Sequence, residues 1–171
     1  MNPSHNALQL FSYSFDGFVT SFFTPLVSGS TLFLLEPSQI GDTAIVNSVL
    51  RSGEITHMIC VPPLFAALIE TASPADWQTV QTVTLAGDRL DAQVIQKAVA
   101  RIPHLEIANE YGLTETSVMS TIYRNQQNDD VIKIGRPIPN TAIYIVGPNM
   151  QLQPVGIPGE ILAAGTGIAR G

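Results

Sequence analysis

Apolar residues recur along the first part of the chain in two alternating rhythms. Short unbroken runs alternate with longer stretches in which apolar residues return every third or fourth position. The runs read as buried strands and the periodic stretches as helices with one apolar face. Leu8 to Ser12 predicts a strand, and Asp16 to Val27 a helix carrying Val19, Phe22, Phe23 and Leu26. Pro25 should loosen the end of that helix, and Gly29 should stop it. Thr31 to Leu35 predicts a second strand, and Asp42 caps a helix through Arg51 with Ile45, Val46, Val49 and Leu50 on one side. The pattern then repeats with strand His57 to Val61 and a helix from Pro63 to Thr71. Strand Val83 to Ala86, a helix from Asp91 to Ile102 and strand Leu105 to Ala108 complete it. Strands joined by helices need crossover connections of one hand. The expected fold class is therefore α/β, a doubly wound, mostly parallel sheet with helices on both faces.

The texture changes after Thr121. Arg124 to Asp130 is polar and reads as a loop. Ala142 to Val146, a Gly147-Pro148-Asn149 turn and Gly159 to Ala164 read as antiparallel hairpin strands. The expected division is an α/β subdomain over 1–123, then a linker and the first strands of a small antiparallel β subdomain over 124–171. The chain stops directly after a glycine-rich stretch, which marks it as an expected internal piece of a longer protein.

Composition narrows the class. Of 171 residues, 45% are hydrophobic and 13% charged, so apolar faces that other parts of a larger body cover are expected, and the chain alone could self-associate through them. A net charge of −6 with eight scattered Lys and Arg provides no basic stripe for nucleic acid. Cys60 is the one cysteine and the three histidines are far apart, so neither a disulfide nor a metal cluster is expected. Without a signal-peptide pattern or a run long enough to cross a bilayer, a cytoplasmic protein is expected.

In an open parallel sheet, ligands bind beyond the carboxyl ends of the strands. The chemically suggestive residues fall there: Ser14 and Asp16 after the first strand, Cys60 and Pro62 after the third, Gly87 and Asp88 after the fourth, and Asn109 to Glu115 after the fifth. The run Asn109-Glu110-Tyr111-Gly112-Leu113-Thr114-Glu115-Thr116 would place a ring, a flexible glycine, a hydroxyl and a carboxylate in one tight turn. Such a turn can stack a purine, approach phosphate and offer oxygen to Mg2+. The convergence points to a small-molecule site.

That run resembles the fifth core motif of nonribosomal peptide synthetase adenylation domains, within the adenylate-forming superfamily. Phe15-Asp16-Gly17 resembles their fourth motif, and Gly159-Glu160-Ile161 through Gly165-Thr166-Gly167-Ile168-Ala169-Arg170-Gly171 their sixth. Gly135-Arg136-Pro137-Ile138-Pro139-Asn140-Thr141 matches the lead-in. Leu113 departs from the family, which usually has proline there, and leucine is commoner in acyl- and aryl-CoA ligases of the superfamily. The family's upstream phosphate loop, downstream ribose-binding aspartate and mobile lobe with its catalytic lysine have no counterpart here. The 171 residues alone are thus expected to be nearly inactive.

The resemblance implies an ATP-dependent ligase that forms aminoacyl-AMP, with Mg2+, and passes the amino acid to phosphopantetheine on a neighbouring carrier-protein domain. It gives Tyr111 the role of stacking on adenine, with Gly87, Asp88, Asn109 and Gly112 bordering the slot. Thr114 would contact phosphate and Glu115 would hold Mg2+, the pair closest to catalysis. Asp16 would pair with the substrate's α-ammonium. Gly17, Thr20, Cys60, Thr84, Ala86, Glu110, Val118 and Met119 would line the side-chain pocket with it, a set similar to family signatures for tyrosine. A basic side chain paired with Glu110 is the competing substrate. An acyl- or aryl-CoA ligase, or a non-catalytic nucleotide-binding or interaction module, is the competing function.

Overall fold

The computed structural model describes residues 1–170; Gly171, the last residue of the glycine-rich motif, lies outside them. Five strands and four helices alternate as expected: β1 (Asn6–Gln9), α1 (Gly17–Val27), β2 (Thr31–Phe33), α2 (Thr43–Arg51), β3 (His57–Cys60), α3 (Pro62–Thr71), β4 (Thr82–Leu85), α4 (Ala92–Arg101) and β5 (Glu106–Tyr111). Local chemistry sets the ends. The Asp42 carboxylate accepts from the Ala44 and Ile45 amides at 2.9 and 3.2 Å, and Asp91 accepts from the Gln93 amide at 2.9 Å, so both helices start with satisfied donors. Pro62 and Pro63 open α3, where no amide hydrogen is needed. Pro25 does not loosen α1, which runs two residues past it, because the last turn tolerates the missing donor. β1 ends earlier than the apolar run suggests. The Gln9 side chain folds back, donating to the Phe11 carbonyl at 2.6 Å and accepting from the Phe11 amide, and so replaces ladder bonds there.

The main sheet has the order β2-β1-β3-β4-β5, all parallel, extended by antiparallel β6 (Thr121–Tyr123) and β7 (Arg136–Pro137). Chain direction across the sheet reverses once, at β2. Right-handed crossovers therefore put α1 on one face and α2, α3 and α4 on the other. The division expected between 123 and 124 falls inside this sheet, since β7 still pairs with β6. A second sheet of β8 (Thr141–Val146) and β9 (Glu160–Gly165) is antiparallel, in register from Thr141 with Gly165 to Val146 with Glu160.

The core lies under α2, α3 and α4. Met58, Cys60, Val83, Leu85 and Ile107 from the strands are at most 1% exposed, and Phe65 meets Trp77 edge-on at 5.9 Å between centroids. Buried Asp76 closes one rim, held by Arg51 Nε at 2.9 Å and the Ser73 amide at 3.1 Å. The outer side of α1 is different: Val19, Phe23 and Leu26 are about half exposed, the apolar surface that the composition called for.

Candidate active site

Side chains alternate across a strand, and here alternation sorts the candidate residues into two groups. Register aligns Ile59 with Thr84, and Cys60 with Leu85 and Asn109. Cys60, Leu85, Asn109 and Tyr111 thus point toward α2–α4, whereas Ile59, Thr84 and Glu110 point toward α1.

Three clefts follow from this division. A 980 Å3 cleft on the α4 side is lined by the 87–92 segment, Asn109, Tyr111, Gly112, Ile132 and Ile134. A 400 Å3 crevice lies beyond the carboxyl ends of β1 and β3, the point where the strand order reverses. Its walls include Phe11, Phe15, Asp16, Gly17, Val61, Ala86, Thr114, Glu115 and Val118. A 210 Å3 chamber between α1 and the sheet is lined by Thr20, Ile59, Thr84 and Met119 among others. Glu110 borders all three.

The structure therefore brings Gly87, Asp88, Asn109, Tyr111 and Gly112 together, and separately gathers Asp16, Gly17, Ala86, Thr114, Glu115 and Val118. Thr20, Thr84 and Met119 sit in the adjoining chamber. Cys60 departs from the expectation: it is fully buried in the core, lines none of these clefts, and burial pushes its thiol up to about 12. Ile59 and Val61, its neighbours on the other face, take the places at the clefts. Asn109 to Tyr111 also form no tight turn. They continue β5, because β6 returns antiparallel beside them and pairs with their backbone. Gly17 does more than leave room: a Cβ there would lie 2.7 Å from the Phe11 ring, so glycine allows α1 to pack on Phe11.

The turn that follows β5 carries the strain. A 3-10 turn, Thr114–Thr116, is followed by Ser117 at φ 57° and Val118 at φ 76°, a conformation costly for a β-branched residue. It is over-determined. The Leu113 carbonyl accepts from the amides of Thr116 and Val118, and the Ser117 carbonyl accepts from the Met119 amide at 3.0 Å. A Cβ on Gly112 would collide with the Val118 carbonyl. Ser117 Oγ donates to the Gly167 carbonyl at 2.6 Å, and the Ala169 amide to the Glu115 carbonyl at 2.8 Å, so the glycine-rich stretch after β9 braces the turn. The result delivers Val118 to the crevice and Met119 to the chamber.

Asp16 precedes α1 but its carboxylate caps no amide of that helix. It accepts instead from Thr114 Oγ1 at 2.6 Å, joining two residues 98 positions apart at the mouth of the crevice. Glu110 is held up at about 7 by burial, which the Arg124 charge only partly offsets. Among the described residues its carboxyl makes no hydrogen bond.

The donor set suits a nucleotide with Mg2+. The 980 Å3 cleft is roomy, has Tyr111 for stacking, and Asn109 is 6% exposed with a polar amide on its wall. Among the described residues no cluster of three metal-ligating side chains occurs. Mg2+ needs none when phosphate oxygens and water complete its shell, so Glu115 alone is adequate. Ile132 and Ile134, which form the apolar wall, went unforeseen in what looked like a polar loop. Their spacing two apart, with polar Lys133 between, was the available signal.

A family model described as AMP-binding enzyme matches residues 1–171. The chain belongs to the AMP-binding enzyme family. This AMP-binding chain is 46% identical over 170 residues to a plipastatin synthase of Bacillus subtilis (strain 168), covering 99% of itself and 5% of that protein. It is 44% identical over 169 residues to gramicidin S synthase 2 of Aneurinibacillus migulanus, covering 99% of itself and 4% of the relative. Among solved structures, the AMPPNP-bound form of the nonribosomal peptide synthetase FmoA3 superposes with a TM-score of 0.88 at 26% identity, over 99% of this chain and 19% of that one. The AMP-binding chain thus spans about a twentieth of the length of the curated relatives it matches. No described helix is long and apolar enough to cross a membrane.

Proposed function

We propose that this chain forms the nucleotide and substrate cradle of an amino-acid-adenylating domain in a nonribosomal peptide synthetase. The observation that carries the reading is the meeting of three clefts around Glu110, with the nucleotide-suited residues on one face of β5 and the substrate-suited residues on the other. ATP lies in the 980 Å3 cleft with adenine on Tyr111. The amino acid lies in the crevice with its ammonium on Asp16 and its side chain in the chamber. Its carboxylate oxygen attacks the α-phosphorus, the bond to pyrophosphate breaks, and aminoacyl-AMP remains. Thr114, whose hydroxyl donates to Asp16 in this structure, stands at the junction of the two ligands, and Glu115 supplies an oxygen to Mg2+. These residues orient reactants and oppose developing charge, the larger part of catalysis in such transfers. The glycine-braced β8–β9 sheet begins a second, β-rich subdomain. A phosphopantetheine thiol on a carrier domain takes the amino acid in the next step.

The side chain we propose is tyrosine. The chamber combines apolar walls with Thr20, Thr84 and Glu110, and a carboxyl that is half protonated near neutral pH partners a phenol more readily than it holds a fixed charge. One observation favours a second reading: exposed Leu113 at the crevice suits a ligase of acyl or aryl acids.

ATP–pyrophosphate exchange by the parent synthetase, run with amino, fatty and aryl acids, tests both. Exchange that depends on tyrosine is expected. Exchange with ornithine or lysine would reassign the side chain, and exchange only with acids lacking an amino group would demote Asp16. No exchange with any acid would favour a nucleotide-binding module without catalysis.

A further inference from the structure

The polar loop between β6 and β7 is held by a side chain that touches neither ligand. Gln126 is 0% exposed, and both ends of its amide are spent on the loop's own backbone. Its Oε1 accepts from the Lys133 amide at 2.9 Å, and its Nε2 donates to the Val131 carbonyl at 2.9 Å. The Lys133 carbonyl, fixed in this way, accepts from Asn109 Nδ2 at 2.9 Å. Asn109 lines the large cleft beside Ile132 and Ile134, and its Oδ1 accepts no hydrogen bond among the described residues.

A free asparagine amide can turn over and offer either a donor or an acceptor to a ligand. Here the Lys133 carbonyl takes the donor end, so the acceptor end is left for the cleft. An acceptor suits the exocyclic amine of adenine. It opposes the carbonyl oxygen that hypoxanthine and guanine carry at the same ring position. We propose that Gln126 is a positioning residue that sets base selectivity, by fixing the loop carbonyl that fixes the Asn109 amide. The inference rests on the nucleotide reading of this cleft. Two other ties hold the loop when Gln126 is changed: the Lys133 ammonium donates to Tyr123 Oη at 3.2 Å, and Gln127 Oε1 accepts from the Ile107 amide at 3.0 Å.

The test measures pyrophosphate exchange by the parent synthetase with ATP and with inosine triphosphate, which carries a carbonyl in place of the amine. The unaltered protein is expected to prefer ATP in kcat/KM by about a hundredfold or more, since a mispaired buried polar group is costly. Gln126→Met, similar in size but unable to bond, is expected to cut that preference by about tenfold through a higher KM for ATP, with the KM for the amino acid unchanged. A role in mere stability would depress both nucleotides equally, so an unchanged ratio in a folded Gln126→Met protein overturns the inference. If that variant does not fold, Gln126→Asn replaces it, one methylene too short to reach both backbone partners. An unchanged ratio there is equally fatal. Equal use of both nucleotides by the unaltered enzyme overturns the Asn109 polarity itself. Absence of any ATP-dependent exchange would overturn the adenylation reading and this inference together.

Discussion

The two faces of β3, β4 and β5 are made from the same four- to six-residue strands, yet they are built to different standards. Toward α2, α3 and α4, every strand side chain from Met58 to Ile107 is apolar and at most 1% exposed. Toward α1, Ile59, Thr84 and Glu110 are half buried, and Glu110 has no hydrogen-bond partner among the described residues. One face has no work left to do; the other leaves polar groups waiting. Thr84 and Leu85 are consecutive residues, so a single step along a strand separates stability from recognition.

Variants can break that contrast, and the largest effect is expected at the crevice. Asp16→Ala in the parent synthetase should cut amino-acid-dependent pyrophosphate exchange by about a hundredfold or more while ATP still binds, because the substrate's ammonium loses its counter-charge. Turnover unchanged would remove Asp16 from the site. Next, Leu85→Ala should cost about 2–5 kcal/mol in denaturant unfolding of the domain, whereas Thr84→Ala should cost under about 1 kcal/mol and instead alter which acid is activated. Equal losses of stability would erase the distinction between the faces.

A subtler effect is expected from pH. The Glu110 carboxyl is raised from 4.5 to about 7 in the fold, so the folded state binds its proton more tightly than the unfolded chain does. Its contribution to stability is complete below about 4.5 and is lost as pH rises through about 7. Glu110→Gln should flatten that decline in melting temperature, and parallel curves for the two proteins would refute the assignment. The smallest effect belongs to the surface. Lys97 and Glu70 pair at 2.7 Å but are 59% and 62% exposed, and Lys97→Ala should leave the melting midpoint within the scatter of measurement.

Apolar periodicity made the parallel sheet and its four helices legible, because each element buries one face and the spacing records it. Strand ends were less legible, since side chains decide them: Gln9 cuts β1 short, and pairing with β6 carries β5 on to Tyr111. That extension matters for the site. With Asn109, Glu110 and Tyr111 in a strand, consecutive motif residues face opposite clefts, which a turn would not have required. Cys60 was misplaced for the same reason, since proximity to a strand's end says nothing about which face a side chain takes. β7 is two residues long and Gln126 is a polar residue in a polar loop, so neither carried a periodic signal. The strain at Val118 was invisible too, because valine announces no left-handed backbone.

Glu110 borders the nucleotide cleft, the crevice and the side-chain chamber at once. Any occupant of one chamber that changes the protonation or rotamer of this carboxyl changes the affinity of the others. Thermodynamic reciprocity then requires that whatever factor ATP confers on amino-acid binding, the amino acid confers on ATP. One carboxyl without a protein partner can thereby make the two substrates sense each other before any bond is formed.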